Sequence, residues 1–184
     1  MEKHTSYKKY ALYISEHIGL IRFVANKFSQ LMAKTEYKTL WEEIRILFEL
    51  NIYNHDSSKY SDEEFYSYRK KFFPEAGEKT DSEEFNLALL HHYRVNPHHW
   101  EYWIIPKNDK NLALQMPHEY LFEMLCDWTA LSLKFGDYPS EFYNKNKERM
   151  ILHEETIQDI EKMIKIFDQI VITERAENEL QKKL

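Results

Sequence analysis

Three glycines and five prolines in 184 residues leave the chain few places to turn, so a few long elements must make it up. A single cysteine, Cys126, excludes an internal disulfide and any CxxC zinc site. No apolar run approaches the ~20 residues of a membrane span, and the start, MEKHTSYKKYALYISEH, has none of signal-peptide length. Positive charge is short as well. The 25 Lys and Arg against 31 Asp and Glu give a net charge of -6, which argues against long nucleic acids and anionic membranes, both of which need a cationic face. One small basic pocket is compatible with that balance. The expectation is a cytoplasmic protein of a reducing compartment, with 43% hydrophobic residues to form the core of one domain over 1–184.

What is present reads as helix nearly everywhere. A helix over about 6–34 places Tyr10, Tyr13, Ile14, His17, Ile21, Val24, Phe28 and Leu31 on one stripe, and another over about 36–54 repeats this with Trp41, Ile44, Phe48 and Ile52 before running into His55. Ser61 followed by Glu64 has the spacing of a capping box opening a short helix that ends near Pro74. Asp81 or Ser82 can cap a helix carrying Phe85, Ala88, Leu89 and His92. Met116-Pro117 starts a helix that Gly136 stops near Phe135. A short helix follows from Ser140, and a long one over about 154–180 leaves a frayed tail at 181–184. The fold class is all-α, with about six to seven helices and no strand pattern. The one long irregular stretch, NPHHWEYWIIPKNDKN, is bracketed by Pro97 and Pro106, and loops of that length inside a compact domain are usually functional.

The chain holds nine histidines, and their placement carries the functional reading. His17 falls three residues after Ile14 and four before Ile21, His55 three after Ile52, and Asp127 three after Met124 and four before Leu131. A buried unpaired carboxylate costs several kcal/mol, so Asp127 needs an Arg, an imidazolium or a metal ion beside it. Each of these residues alone is accommodated by a hydrogen-bond network. Together, His17, His55, Asp56 and Asp127 supply imidazole and carboxylate ligands for one divalent ion. His92 faces inward seven residues after Phe85, and His91 faces more to the side. His98 and His99, in the aromatic loop, are ligands or orient one another. His4, His118 and His153 lie in polar contexts and are expected to be exposed.

The ordered set His17, His55-Asp56, Asp127 resembles the HD-domain superfamily of metal-dependent phosphohydrolases, built on an all-helical scaffold. HDSSK resembles the HD-x-x-K form of the motif, which implies that Lys59 approaches a substrate phosphate. His92, His98 and His99 resemble the histidines that hold a second ion in the dinuclear members. A small uncharacterised phage and bacterial family is also similar over about 55–128, through HDxSK, NPHHWEYW and EMLCDW, and brings no established activity. The glycine-rich GYP-type segment of cyclic-dinucleotide phosphodiesterases is missing, and HHWE stands in place of their HHE run.

The resemblance implies one or two divalent ions (Mn, Fe, Co, Ni, Zn or Mg) and a small phosphorylated substrate, with a nucleotide favoured. Asp56 and Lys59 are the expected catalytic groups, and Arg94 is a candidate second phosphate clamp. Trp100, with Tyr102 and Trp103, is a surface on which a nucleobase could stack, or else these rings close the core. Two other readings stand beside it: a dinuclear-iron oxygenase on the same scaffold, and a non-catalytic module with a structural metal. In the latter, Ile157, Ile160, Ile164, Phe167 and Val171 of the last helix would face a homodimer partner instead of the core.

Overall fold

The computed structural model describes residues 3–182, with side chains from 5 onward. His4 and the end of the expected frayed tail, 183–184, lie outside the described side chains and residues. Among the described residues seven α-helices follow one another: α1 Lys3–Met32, α2 Lys38–Asn54, α3 Phe65–Phe72, α4 Ser82–Val95, α5 His118–Phe135, α6 Pro139–Asn146 and α7 Glu154–Gln181. The fold is all-α. One correction applies to the irregular stretch. Trp100–Trp103 forms a 3₁₀ turn, and a two-residue antiparallel pair, Ile104–Ile105 with Leu112–Ala113, closes the loop behind it. Strands that short have no alternation to read.

Local signals explain the helix ends. Asp81 Oδ1 accepts from the backbone N–H groups of Glu83 (2.8 Å) and Glu84 (3.4 Å) and opens α4. Gly136, at φ 93°, closes α5 in the left-handed conformation that glycine adopts without strain. The Ser61–Glu64 capping box does not form, because Glu64 is fully buried and its carboxylate accepts from His91 and His92. His118 is half-buried against Asp159 (3.1 Å), and His153 caps α7 by accepting from the Glu155 N–H (3.3 Å).

The larger core lies where α5 packs against α1, α2 and α7. At its centre the Phe28 ring stacks on Phe167 at 4.6 Å and meets Phe122 at 5.0 Å, Trp41 at 5.7 Å and Phe48 at 5.8 Å. From α7 this core takes Ile160, Met163, Ile164, Phe167 and Ile170, so most of the stripe considered as a partner surface is buried inside the molecule. A smaller core joins α1 to α3 and α4 through Tyr10, Ile14, Ile18, Tyr68 and Ala88. His17 sits on α1 between Ile14 of the smaller core and Ile21 of the larger.

Candidate metal centre

The seam between the two cores is polar. α1 brings His17 to it, the end of α2 brings His55 and Asp56, α4 brings His92, and the loop after α4 brings His98 and His99. α5 brings Glu123 and Asp127. At Asp56 the chain leaves α2 with φ 56°; Asp56 is the only non-glycine residue with positive φ among the described residues. Aspartate tolerates that conformation at a cost of about 1 kcal/mol or more, and held strain of this kind clusters at functional sites.

Asp56 is the centre of the arrangement. Its Oδ2 lies 3.5 Å from His17 Nε2 and 3.6 Å from His55 Nε2; its Oδ1 lies 3.4 Å from His92 Nε2 and 3.7 Å from His98 Nε2. His17 Nε2 is also 3.1 Å from Asp127 Oδ1, and His99 Nε2 is 2.8 Å from His92 Nε2. The donor atoms fall into three groups: His17, His55 and Asp127; Asp56, His92, His98 and His99; and His55, His98 and Glu123. Asp56 Oδ2 faces His17 and His55 of the first group, and its Oδ1 faces His92 and His98 of the second.

The far sides of the rings are held by two buried glutamates. Glu123 Oε1 is 2.7 Å from His55 Nδ1 and 3.1 Å from His98 Nδ1, while Glu64 takes His92 Nδ1 and His91 Nδ1, each at 2.8 Å. An ionised carboxylate only accepts, so these Nδ1 atoms carry the protons and the Nε2 lone pairs of His55, His92 and His98 are turned toward Asp56. Carboxylate–histidine pairs of this kind orient metal-binding imidazoles and raise their basicity.

The electrostatics agree. Burial pushes each carboxyl up, but its neighbours outweigh burial. Asp56 is held well below the usual carboxylate range by Lys59, then by His55, His92 and His98, and Asp127 well below it by His17 and His55. Glu123 is lowered by His55 and His98, and Glu64 by His92 and His91. Burial, with His98 and His92 beside it, pushes His99 well below its ordinary value and leaves it neutral. Burial pushes Lys59 down, but Asp56 and Asp127 raise it above its usual value; its Nζ lies 2.5 Å from Asp56 Oδ2. Among the described residues Lys59 is the only lysine or arginine paired with this cluster. Several buried carboxylates therefore face a single ammonium.

These residues fit a divalent metal. Atoms bound about 2.1 Å from one ion lie roughly 3.0 Å apart at right angles and roughly 3.4 Å apart in a tetrahedron. The separations given above run from 2.8 to 3.7 Å, and all the donor atoms of one group lie within 4.8 Å of one another. His55 Nε2, His98 Nε2 and Asp56 Oδ1 are buried with no hydrogen-bond partner among the described residues, which is costly unless a cation satisfies them. The buried His/Asp cluster can hold a metal ion.

Two cavities open on the cluster. One of about 390 Å³ is lined by His98, His99, Trp100, Glu101, Asp127 and Arg149, among others; the second, of about 300 Å³, lies on the His55, His98 and Glu123 side with Ser58 and Asn96. The structure brings His17, His55, Asp56, Lys59, His92, His98, His99 and Asp127 together and sets Trp100 on a cavity wall. It does not bring Arg94, which is exposed and lines neither cavity: two residues after His92, it points half a helical turn away. Trp103 closes the loop, donating from Nε1 to the Pro97 carbonyl at 2.7 Å. Glu64, Glu101, Glu123 and Arg149 are the site residues not anticipated above. Glu123 had a signal, a charge one helical turn before Asp127 on the same face.

A model for a family of proteins described as "Family of unknown function (DUF5662)" matches residues 6–166. No curated protein and no solved structure matches the chain. The chain belongs to this family of unknown function.

Proposed function

We propose that the protein is a metal-dependent phosphohydrolase of the HD-domain type, acting on a small phosphorylated compound such as a nucleotide. The observation that carries this reading is Asp56 with a histidine Nε2 pair facing each carboxylate oxygen and Lys59 beside it. His17, His55, Asp56 and Asp127 would hold one ion, and Asp56, His92, His98 and His99 a second. The imidazole-rich set favours Fe, Co, Ni or Zn over Mg, with Mn between them. A bound ion of this kind lowers the pKa of its water toward neutrality and offsets charge on the phosphate.

The chain's own groups then divide the remaining work. Asp56, kept ionised, can bind cation on both oxygens or accept the proton of an attacking water. Lys59, kept charged, can turn from Asp56 to a non-bridging phosphate oxygen. Glu123 and Glu64 hold the rings in one tautomer, so no reorientation is needed when substrate arrives. No helix among the described residues is long and apolar enough to cross a membrane. The buried free thiol of Cys126 is pushed well above its ordinary value by burial and is kept out of the chemistry.

The test is phosphate release from a panel of mononucleotides and simple phosphate esters by protein reconstituted separately with each metal, alongside Lys59→Ala. Turnover that needs metal and falls in Lys59→Ala while metal content is kept supports the proposal. Metal binding without phosphate release from any ester would refute it, and oxygen uptake by the iron-loaded protein would put the oxygenase in its place.

A further inference from the structure

The two oxygens of Asp56 differ in what already occupies them. On the Oδ1 side, Asp56 Oδ1 and His98 Nε2 are buried with no hydrogen-bond partner among the described residues. Glu64 holds the Nδ1 proton of His92 and Glu123 that of His98, so both rings present Nε2 lone pairs. The contact that His99 makes there, Nε2 to His92 Nε2 at 2.8 Å, is a hydrogen bond between imidazoles and no ion pair. This side is vacant of internal cations and set for a metal.

The Oδ2 side is already filled. Lys59 Nζ lies 2.5 Å from Asp56 Oδ2, the same oxygen that faces His17 and His55. The 3₁₀ turn Ser57–Tyr60 keeps it there, with the Lys59 N–H donating to the Asp56 carbonyl at 3.0 Å. A tether this short holds the ammonium at a high effective concentration against its carboxylate. The second carboxylate of this side, Asp127, has its Oδ1 3.1 Å from His17 Nε2. An ionised carboxylate only accepts, so this contact puts the His17 proton on Nε2, the nitrogen that a metal would need. His17 Nδ1, in contrast, is buried without a partner among the described residues, so nothing holds the proton on that nitrogen. Of His17, His55, His92 and His98, His17 alone has its tautomer set against an ion.

We infer that Lys59 is a built-in cation that competes with one of the two metals, so that the two sites are unequal. Asp56 Oδ1, His92, His98 and His99 hold a resident ion of the zinc type, suited to three imidazoles. The His17, His55 and Asp127 side takes a weaker, exchangeable ion, which must displace the Lys59 ammonium and move the His17 proton to Nδ1. A charge-assisted contact is lost on this side and a neutral one on the other, which sets the order of filling. Entry of the exchangeable ion also frees Lys59 for a phosphate oxygen, so the site is complete only when both ions are in place. The inequality rests on the metal-binding reading of the cluster; its link to substrate rests on the phosphohydrolase reading.

The probe is zinc, titrated calorimetrically with a competing chelator into metal-free wild type, Lys59→Met and Asp127→Asn. Wild type should bind two ions in two steps, the second at least about tenfold weaker, the scale of one charge-assisted contact to be broken. Lys59→Met keeps the unbranched stem and removes the charge. It should tighten the weaker step about tenfold and leave the tighter step unchanged. Asp127→Asn should lose the weaker step and keep the tighter one, a separate test even if Lys59→Met misfolds. Two equally tight steps, a weaker step that is unchanged or loosened in Lys59→Met, or loss of the tighter step in Asp127→Asn would overturn the inference. Phosphate release separates it from the reaction. Two unequal ions without hydrolysis of any ester would support the inequality and refute the reaction. Two equal ions with metal-dependent hydrolysis would overturn the inequality and support the reaction.

Discussion

The same helix serves two regions that obey opposite rules. From Ile21 onward α1 gives Val24, Ala25, Phe28 and Met32 to a core of rings and aliphatic side chains; one turn before Ile21 it gives His17 to a seam of imidazoles and carboxylates. In the seam His17 Nδ1, His55 Nε2, Asp56 Oδ1 and His98 Nε2 are buried without hydrogen-bond partners among the described residues. His17, His55, Asp56 and His98 are as deeply buried as most of the core, so burial alone does not distinguish the two regions. Completeness does: the core needs only its own rings, whereas the seam has surplus buried negative charge and surplus lone pairs that a cation would satisfy.

Variants on each side should therefore fail in different ways. Asp56→Ala, which removes the carboxylate common to both donor groups, should abolish metal retention and lower phosphate release about 10³-fold or more, roughly 4 kcal/mol. Its helical circular dichroism should be kept, and retained metal would break the contrast. Phe28→Ala should do the reverse. Loss of a ring packed against Phe167, Phe122, Trp41 and Phe48 should lower unfolding free energy by about 3–5 kcal/mol in denaturant titrations, with the folded protein still taking up its full complement of metal.

A third test uses the metal itself. Free metal at a hundredfold excess over its dissociation constant should stabilise the wild type by about 2.7 kcal/mol per site and raise its Tm, with no effect on Asp56→Ala. An equal rise in both proteins would place the ion elsewhere. The smallest effect expected is in Glu123→Gln. Because Glu123 holds Nδ1 of His55 in one donor group and of His98 in the other, metal affinity should weaken about 10–100-fold. Unfolding of the metal-free protein should change little, and full affinity in the variant would remove Glu123 from the account.

The two regions also differed in how much of them the sequence revealed. Apolar periodicity marks the core because Phe28, Trp41, Phe48 and Phe167 each face inward by the geometry of their own helix. The same periodicity exposed His17, His55, His92 and Asp127 as polar residues on apolar stripes. It has no purchase on His98 and His99, which follow the end of α4 and whose place depends on how the loop folds back. Glu64 was masked by a capping pattern that its own burial overrules. Glu123 shares a face with Asp127 one turn on, and that spacing was its only signal, because the run from Leu121 to Cys126 is buried all round and leaves no apolar stripe to set it off. Arg149 reaches the cavity through the packing of α6 against α5, with the turn that carries Arg149 held on α6, an arrangement that no local pattern encodes.

The most direct test of the central claim is a metal count by elemental analysis on the wild-type protein and Asp127→Asn after reconstitution with Mn, Fe, Co, Ni or Zn. Asp127 belongs to the donor group of His17 and His55 and not to that of His92, His98 and His99. The account predicts about two ions per wild-type chain and no more than one in the variant. A wild-type protein that binds no metal under any of these conditions, or a variant that keeps the wild-type count, would contradict it.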